Sequence, residues 1–371
     1  MPKPETLAGA SLIAEARALW GADETLEVTS LTHNRANGVT QSVDRVRAGD
    51  RSAVVKVLGR RTEGVPRRWL PSDEPTHFNY WRREALVYGA DLADAYAGSG
   101  LVAPRLLSRH ERDDGSIALW LEDLGSDDSA WTVDDVAGAA RRLGVAQGRI
   151  VVEGGPDHPW LSQRFLRRYA SSKPVDYGLL EDDERWAHPL IVRHDPGTLR
   201  EGTRTLHDDA DWFFALSERL PRTFCHLDFW PNNLARAGDG TLALVDWSFA
   251  GDGALGEDVS NLIVDTVFDH FLSADDLAEL DRRAITAYLD GLGDAGWTGD
   301  ERLVQLGVWS AAVKYQWLMP IQLAQLDEPT IAYGGEHTVD PDRRYADRLG
   351  GLALLVDWAE RARDLHRNLG W

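Results

Sequence analysis

One stretch, FCHLDFWPNNLARAGDGTLALVDWSFAG over residues 224–251, concentrates side chains that can do chemistry. Two short apolar runs flank a Gly-Asp-Gly turn, and each delivers a carboxylate at one end, Asp228 on the entering side and Asp246 on the exit. Asn233 follows Asp228 by five positions, and His226 precedes it by two. A carboxylate, a carboxamide and a second carboxylate gathered by one hairpin form a set of hard oxygen ligands suited to Mg2+. Left alone, two buried acids raise each other's pKa, so a metal or a bound phosphate is the natural way to keep both ionised. The bland reading makes both aspartates turn-formers at strand ends, and His226 a satisfied structural histidine. The joint spacing with Asn233 favours the chemical reading of the aspartates; for His226 the two stand level.

Lysine usage points to further candidates. Of 40 basic residues only Lys3, Lys56, Lys173 and Lys314 are lysine. The two cations differ at bound phosphates and in how readily they titrate, so each lysine retained calls for a reason. Lys56 lies in VVKV, the third of three β-rich runs at 26–32, 39–46 and 52–58, the first two joined across Asn34-Arg35-Ala36-Asn37-Gly38. Asn-Gly is a strong hairpin signal. Residues 60–76 read as an Arg/Pro/Gly/Asp-rich loop, after which Thr76 is placed to cap a helix running through HFNYWRREALVYGADLADAY, with Glu84 on it. Two more strands are expected at 105–109 and 116–121, completing a five-stranded antiparallel sheet with one main helix in residues 1–123. Helical periodicity dominates beyond Gly125, over 133–150, 161–170, 210–220 and nearly everything after Glu257, with a boundary in the Gly/Ser/Asp cluster at 124–129. A small sheet domain before a larger helical one is an α+β pattern.

The order His226-x-Asp228-x-x-x-x-Asn233, then Asp246 in VDW, resembles the catalytic-loop and metal-binding signature of protein kinases and, more closely, of the aminoglycoside phosphotransferase family, which usually reads H-G-D-x-x-x-x-N and then I-D-W. With Lys56 and Glu84 upstream in the expected order, the resemblance holds at five separated positions and covers about residues 25–265. The resemblance implies a two-lobed protein-kinase-like fold, with residues 1–123 the nucleotide-binding lobe and 124–371 the catalytic and substrate-binding lobe. It implies transfer of the γ-phosphoryl of Mg-bound ATP or GTP to a hydroxyl of a small molecule, foremost a sugar-bearing antibiotic, with a sugar, choline-like or homoserine-like metabolite as the rival acceptor. Lys56 would neutralise the α- and β-phosphates, Glu84 would hold Lys56, Asn233 and Asp246 would ligate Mg2+, and Asp228 would accept the hydroxyl proton, with His226 bracing the loop. Backbone groups from Glu122 to Leu124 would meet the base, Gly38 the phosphates, and Asp258 would hold the active-site loops. Two departures stand out: Leu227 replaces the family's glycine, and the 34–38 loop carries a single glycine.

Other features compete. Lys56 can be read as an edge-strand lysine, and Glu84, beside Arg82 and Arg83, as part of a surface ion pair. Gly251-Asp252-Gly253-Ala254-Leu255-Gly256 is a literal G-x-G-x-x-G, but five residues separate it from the apolar strand and no βαβ alternation supports a nicotinamide-dependent dehydrogenase; a loop leading to Asp258 is expected. A nucleotide-binding pseudokinase is opposed by the intact Asp228, Asn233 and Asp246. Asp209-Ala210-Asp211 resembles a sugar-nucleotide DxD pair but reads as helix capping; 303–326 reads as a buried helix with Lys314 snorkelling, where Trp309 and Trp317 could stack on a flat or sugar-like acceptor but are more simply core; Trp230, inside the signature loop, is expected near the acceptor. The 371 residues carry a net charge of −20, which disfavours nucleic acid and anionic membranes as partners. The N-terminal segment reads as an amphipathic helix rather than a signal peptide, and the single Cys225 excludes an internal disulfide, so a reducing cytoplasm is expected.

Overall fold

The computed structural model describes residues 4–21, 25–125, 129–236, 240–326 and 339–370, with side chains from residue 11 onward. Helix α1 (Pro4–Trp20) precedes strands β1 (Glu27–Ser30), β2 (Thr40–Ala48) and β3 (Arg51–Leu58); helix α2 (Arg83–Gly89) and a short β4 (Leu101–Val102) follow, then β5 (Leu106–Glu111) and β6 (Ile117–Glu122). Five of these strands form an antiparallel sheet in the order β1-β2-β3-β6-β5. β3 is therefore central, which removes the edge-strand reading of Lys56.

Strand alternation sorts the two faces. Val55, Val57, Ala118 and Trp120 pack with Ala16 beneath α1. Glu15, the acid that interrupts the apolar run of α1, is buried there, paired with Arg112 at 2.6 Å and accepting from Trp120 Nε1 at 2.9 Å. Lys56 and Leu58 lie on the other face, toward α2 and the rest of the chain.

The helix expected from Thr76 onward begins only at Arg83 and ends at Gly89, with a 3-10 turn at Leu92–Tyr96. The reason is Arg83, which is wholly buried: its guanidinium donates to the carbonyls of Pro75, His77 and Phe78 at 2.6–2.8 Å. Those acceptors are thereby withdrawn from a helical ladder, and the segment before Arg83 folds as turns.

The remainder is mainly helical. Helix α3 (Val133–Glu153) opens with a Thr132–Asp135 capping box and packs along the helix Leu277–Asp294. Strands β7 (Arg222–Cys225), β8 (Leu234–Arg236), β9 (Leu242–Leu244) and β10 (Gly251–Ala254) form two small sheets: β7 pairs with β10, and β9 lies between β8 and β4. The Gly-Asp-Gly turn joining β8 to β9 lies partly outside the described residues, as does the boundary cluster at 124–129. Helices Glu257–Phe268, Glu301–Ser310 and Pro341–Leu369 complete this part.

Three expectations change. Residues 251–254 of the glycine-rich segment are strand, not loop, and Gly256 is fixed at φ 100 where a Cβ would lie 2.7 Å from the Val304 carbonyl. Its glycines thus serve chain packing, and no doubly wound parallel sheet surrounds them among the described residues. Asp209 and Asp211 make no cap bond; they pair with Arg363 and Arg167 at 2.8 and 2.6 Å. The 303–326 segment is broken into Glu301–Ser310, a 3-10 turn Ala311–Tyr315 and Leu318–Ala324. Pro320 falls in the first turn of the last piece, where no amide donor is required. None of the described helices is long and apolar enough to cross a membrane.

Candidate active site

The central strand brings Lys56 against two acids from distant segments. Its Nζ lies 2.6 Å from Glu84 Oε2 on α2 and 2.8 Å from Asp246 Oδ1 at the end of the β9 segment. Burial alone would depress the ammonium, but the Asp246 and Glu84 carboxylates outweigh it and hold Lys56 above its ordinary pKa. Asp246 moves the other way: burial pushes it up, and Lys56 more than offsets this to leave it below the usual carboxylate range. Glu84 is buried and makes no pair with Arg82 or Arg83, so it is not a surface ion pair.

The signature loop is held from beneath by Asp258, whose carboxylate accepts from the backbone amides of His226 and Leu227 at 2.8 and 2.7 Å and from Gln147 Nε2 at 2.9 Å. Leu227 sits at φ 65, in the left-handed region that the family's glycine would occupy without strain. Its side chain is inserted among Phe78, Phe165, Cys225 and Phe249. The ring of His226 is wholly buried; Nε2 lies 3.0 Å from the Val245 carbonyl, and burial lowers its pKa to about 4. It lines neither of the cavities described next, so its place is that of a neutral brace between the two halves of the hairpin.

Asp228 and Asn233 form one unit. Asn233 Nδ2 donates to the Asp228 backbone carbonyl at 2.9 Å and to its carboxylate Oδ2 at 2.8 Å. Burial pushes the Asp228 carboxyl up to about 7; Lys314 and Asn233 oppose the rise, while Asp246 and Asp265 add to it. With Nδ2 committed to Asp228, the amide oxygen of Asn233 has no protein donor among the described residues. That oxygen and the Asp246 carboxylate are hard donors, and no group of three metal-ligating acids, histidines or cysteines occurs among the described residues. A donor set of two protein oxygens fits Mg2+, which is commonly held by one or two side chains together with substrate phosphates.

Two cavities meet at this cluster. The first, about 240 Å³, runs under the sheet: Val43, Val54 and Leu121 contribute apolar walls, and Lys56, Asn233 and Asp246 lie along it. Glu122 and Leu124 border it as expected, but the Glu122 amide is already bonded to the Arg105 carbonyl at 2.9 Å, so that amide is not free for a ligand. Gly38 does not line the cavity. Its amide donates to the Trp69 carbonyl and its carbonyl accepts from the Arg61 amide, both at 3.0 Å, and a Cβ there would lie 2.2 Å from the Arg61 carbonyl. Close chain packing explains this glycine, and the loop presents Asn34 and Asn37 to the cavity instead.

The second cavity, about 190 Å³, shares Asn34, Asn37 and Asp246 with the first and holds Asp228. Trp69, Tyr169, Trp230 and Trp317 wall it, and Asp265 and Asp269 add carboxylates, each raised by burial to about 6. Lys314 also lines it and donates to Asn261 Oδ1; it is buried rather than snorkelling. Trp230 and Trp317 thus reach this cavity, whereas Trp309 does not and carries Arg361 over its ring at 5.7 Å. Asp265, Asp269, Trp69 and Tyr169 belong to no sequence motif. The scarcity of lysine was the available signal: Lys56 lines the first cavity, Lys314 the second, and Lys173 lies against the rings of Trp69, Tyr169 and Trp317 that wall the second.

The architecture can be compared with solved structures. A spectinomycin phosphotransferase in complex with ADP and spectinomycin superposes with a TM-score of 0.53 at 9% identity, covering 94% of this chain and 98% of that one. The chain has the fold of the small-molecule kinases. A choline kinase from Cryptosporidium parvum Iowa II superposes with a TM-score of 0.51 at 12% identity, covering 96% of each chain. The sequence matches no protein-family model and no curated protein.

Proposed function

We propose that the protein is a small-molecule O-phosphotransferase that uses Mg-bound ATP or GTP. The observation that carries this reading is the Lys56–Glu84–Asp246 cluster where the two cavities meet, with a half-buried carboxylate, Asp228, lining the second cavity together with Asp246. The first cavity suits a nucleotide: the segment from Glu122 to Leu124 borders the base, Asn34 and Asn37 approach the phosphates, and Lys56 neutralises the α- and β-phosphates while Glu84 steadies it. Residues 1–123 are assigned to the nucleotide-binding lobe and 124–371 to the catalytic and acceptor-binding lobe.

Asn233 and Asp246 would hold Mg2+, which when bound screens the triphosphate charge. The acceptor hydroxyl is placed beside Asp228, which takes its proton as the new P–O bond forms and the bond from the γ-phosphorus to the β,γ-bridging oxygen breaks, leaving the nucleoside diphosphate. A carboxyl raised to about 7 is a competent base near neutrality. His226 takes no part in proton transfer and braces the loop.

The second cavity supports an acceptor with flat or sugar-like surface for its aromatic walls and an amino group for Asp265 and Asp269. A sugar-bearing antibiotic is the leading acceptor class, and inactivation by O-phosphorylation the leading role. Asp265 and Asp269 favour a choline-like or other amino alcohol as the second reading. A lone buried Cys225 and the need for a nucleoside triphosphate agree with a cytoplasmic setting.

The test is mass spectrometry of pooled hydroxyl-bearing antibiotics, sugars and amino alcohols incubated with Mg–ATP or Mg–GTP, beside an Asp228→Ala control. A product 80 Da heavier (the mass of about one added phosphoryl group) that is absent from the control is the expected result. Failure of the wild-type protein to bind either nucleotide would overturn the reading.

A further inference from the structure

We propose that the cavity beside the acceptor pocket is an oxyanion subsite, which takes a carboxylate or phosphate group carried by the acceptor. The inference rests on the phosphotransferase reading for the acceptor's identity but on separate residues for the site. This cavity, about 620 Å³, is lined by Arg67, Arg68, Ser72, His77, Ser172 and Lys173 among others, and no carboxylate lines it. The chain has 60 acids against 40 bases, so a cavity with three cations and no acid runs against its composition. Many arginines elsewhere sit on carboxylates, as Arg112 does on Glu15 and Arg222 on Asp252. Among the described residues neither Arg67, Arg68 nor Lys173 has such a partner.

His77 adds a donor. Its Nδ1 accepts from the Asn79 amide at 3.0 Å, which leaves Nε2 as the protonated nitrogen of the neutral ring. Burial and the nearby Arg168 disfavour the cationic form of that ring.

Lys173 joins the two cavities. Its Nζ lies 3.6 Å from the ring centre of Tyr169, 4.6 Å from Trp69 and 5.0 Å from Trp317, and those three rings wall the acceptor pocket. The aromatic cage is therefore filled by the chain's own Lys173 side chain, and what approaches that side of the pocket meets its amino group. Burial, Arg68 and Lys314 all disfavour the Lys173 ammonium, with Asp228 and Asp265 too little to compensate; an incoming anion relieves that strain. An acceptor bonded through its hydroxyl to Asp228 and through an amine to Asp265 or Asp269 would extend its anionic group toward Lys173 and Arg68.

The experiment titrates the full-length protein with inorganic phosphate and, separately, with D-gluconate at constant ionic strength, reading the fluorescence of the tryptophans around Lys173. Saturable binding of both probes is expected, weakened at least tenfold in Arg68→Gln and in Lys173→Gln and unchanged in Arg302→Gln, an exposed arginine that lines none of the three cavities. Gluconate, whose hydroxylated chain reaches the acceptor pocket, should also weaken in Asp228→Asn, whereas phosphate should not. Absence of saturation, or equal binding by wild type and both cavity variants, overturns the subsite. Gluconate binding indifferent to Asp228→Asn makes it a free-anion site and overturns its assignment to the acceptor. Melting temperatures confirm that each variant is folded. Calorimetry with Mg–ADP tests the nucleotide site independently, so failure there is distinguishable from failure of the anion site.

Discussion

Lys56 Nζ lies 2.8 Å from Asp246 Oδ1, which couples the central strand of the N-terminal sheet to the last carboxylate of the signature hairpin. With Glu84 on its other side, one ammonium offsets a fully buried acid and a partly exposed one. The arrangement is poised: a triphosphate competes for Lys56, and a divalent cation competes for Asp246, so each ligand takes over from a contact the protein already makes.

Removing that ammonium should be costly twice over. Lys56→Met leaves Glu84 and Asp246 without a counter-ion, and breaking a largely buried pair in this way destabilises by about 2–4 kcal/mol after allowance for solvent reaching Asp246. Thermal unfolding measures that loss, and calorimetry with Mg–ADP should show affinity falling by about tenfold or more. An unchanged melting temperature together with unchanged affinity would separate Lys56 from both roles.

Asp228→Asn isolates chemistry from fold. Turnover should drop by about 10²–10⁴-fold while nucleotide binding persists. The stability effect has a definite sign. Burial raises the carboxyl from its ordinary 3.8 to about 7 in the folded protein, so its contribution is fully present below pH 3.8 and declines as pH rises through 7. Asparagine stays neutral, can still accept from Asn233, and should stabilise the protein above pH 7 by about 1–3 kcal/mol. The difference between variant and wild type should therefore be smallest near pH 4, already open by pH 5, and largest at pH 8, where melting curves read it.

Lys314 bears on the same proton. It lowers the pKa of both Asp228 and Asp265. In Lys314→Met the acidic limb that Asp228 sets in the pH–rate profile should move upward relative to wild type, with lower activity at pH 7 partly recovered at pH 8. A limb that stays in place would show that the groups governing the profile lie elsewhere.

These predictions mix residues that could be read from sequence with residues that could not. Lys56, Glu84, Asp228, Asn233, Asp246 and Asp258 were legible because each belongs to a short local pattern whose order along the chain carries information. Gly38 was misassigned because a glycine serving a 2.2 Å backbone approach looks the same in sequence as one serving a phosphate. Asp265, Asp269, Trp69 and Tyr169 have no motif; packing of separate helices and a loop puts them on one cavity. The helix expected from Thr76 failed for a related reason, since a helix-compatible run was overruled by one buried guanidinium.

That guanidinium yields its own prediction. Besides the carbonyls of Pro75, His77 and Phe78, Arg83 donates to Trp160 and, at 3.0 Å, to Ser248, two residues after Asp246. A lysine supplies three donors from one nitrogen and cannot span five carbonyls. Arg83→Lys should lose about 3–5 kcal/mol of stability, and activity should fall because the Asp246 segment loses its tie to α2. Equal stability in denaturant would mean that water replaces those bonds at little cost.

Leu227 sets two effects of opposite sign against each other. At φ 65 a side chain costs about 1–2 kcal/mol, which glycine would recover. The leucine is 2% exposed and fills space among Phe78, Phe165, Cys225 and Phe249. Removing a buried leucine side chain costs about 2–5 kcal/mol, and glycine adds unfolded-chain entropy. Packing therefore outweighs strain, and Leu227→Gly should destabilise by about 1–3 kcal/mol even though glycine is the family's usual residue. Asp258 still receives both loop amides in the variant, so turnover per folded molecule should remain within a few-fold of wild type. A higher melting temperature in Leu227→Gly would reverse the ranking, with relief of backbone strain outweighing the lost packing.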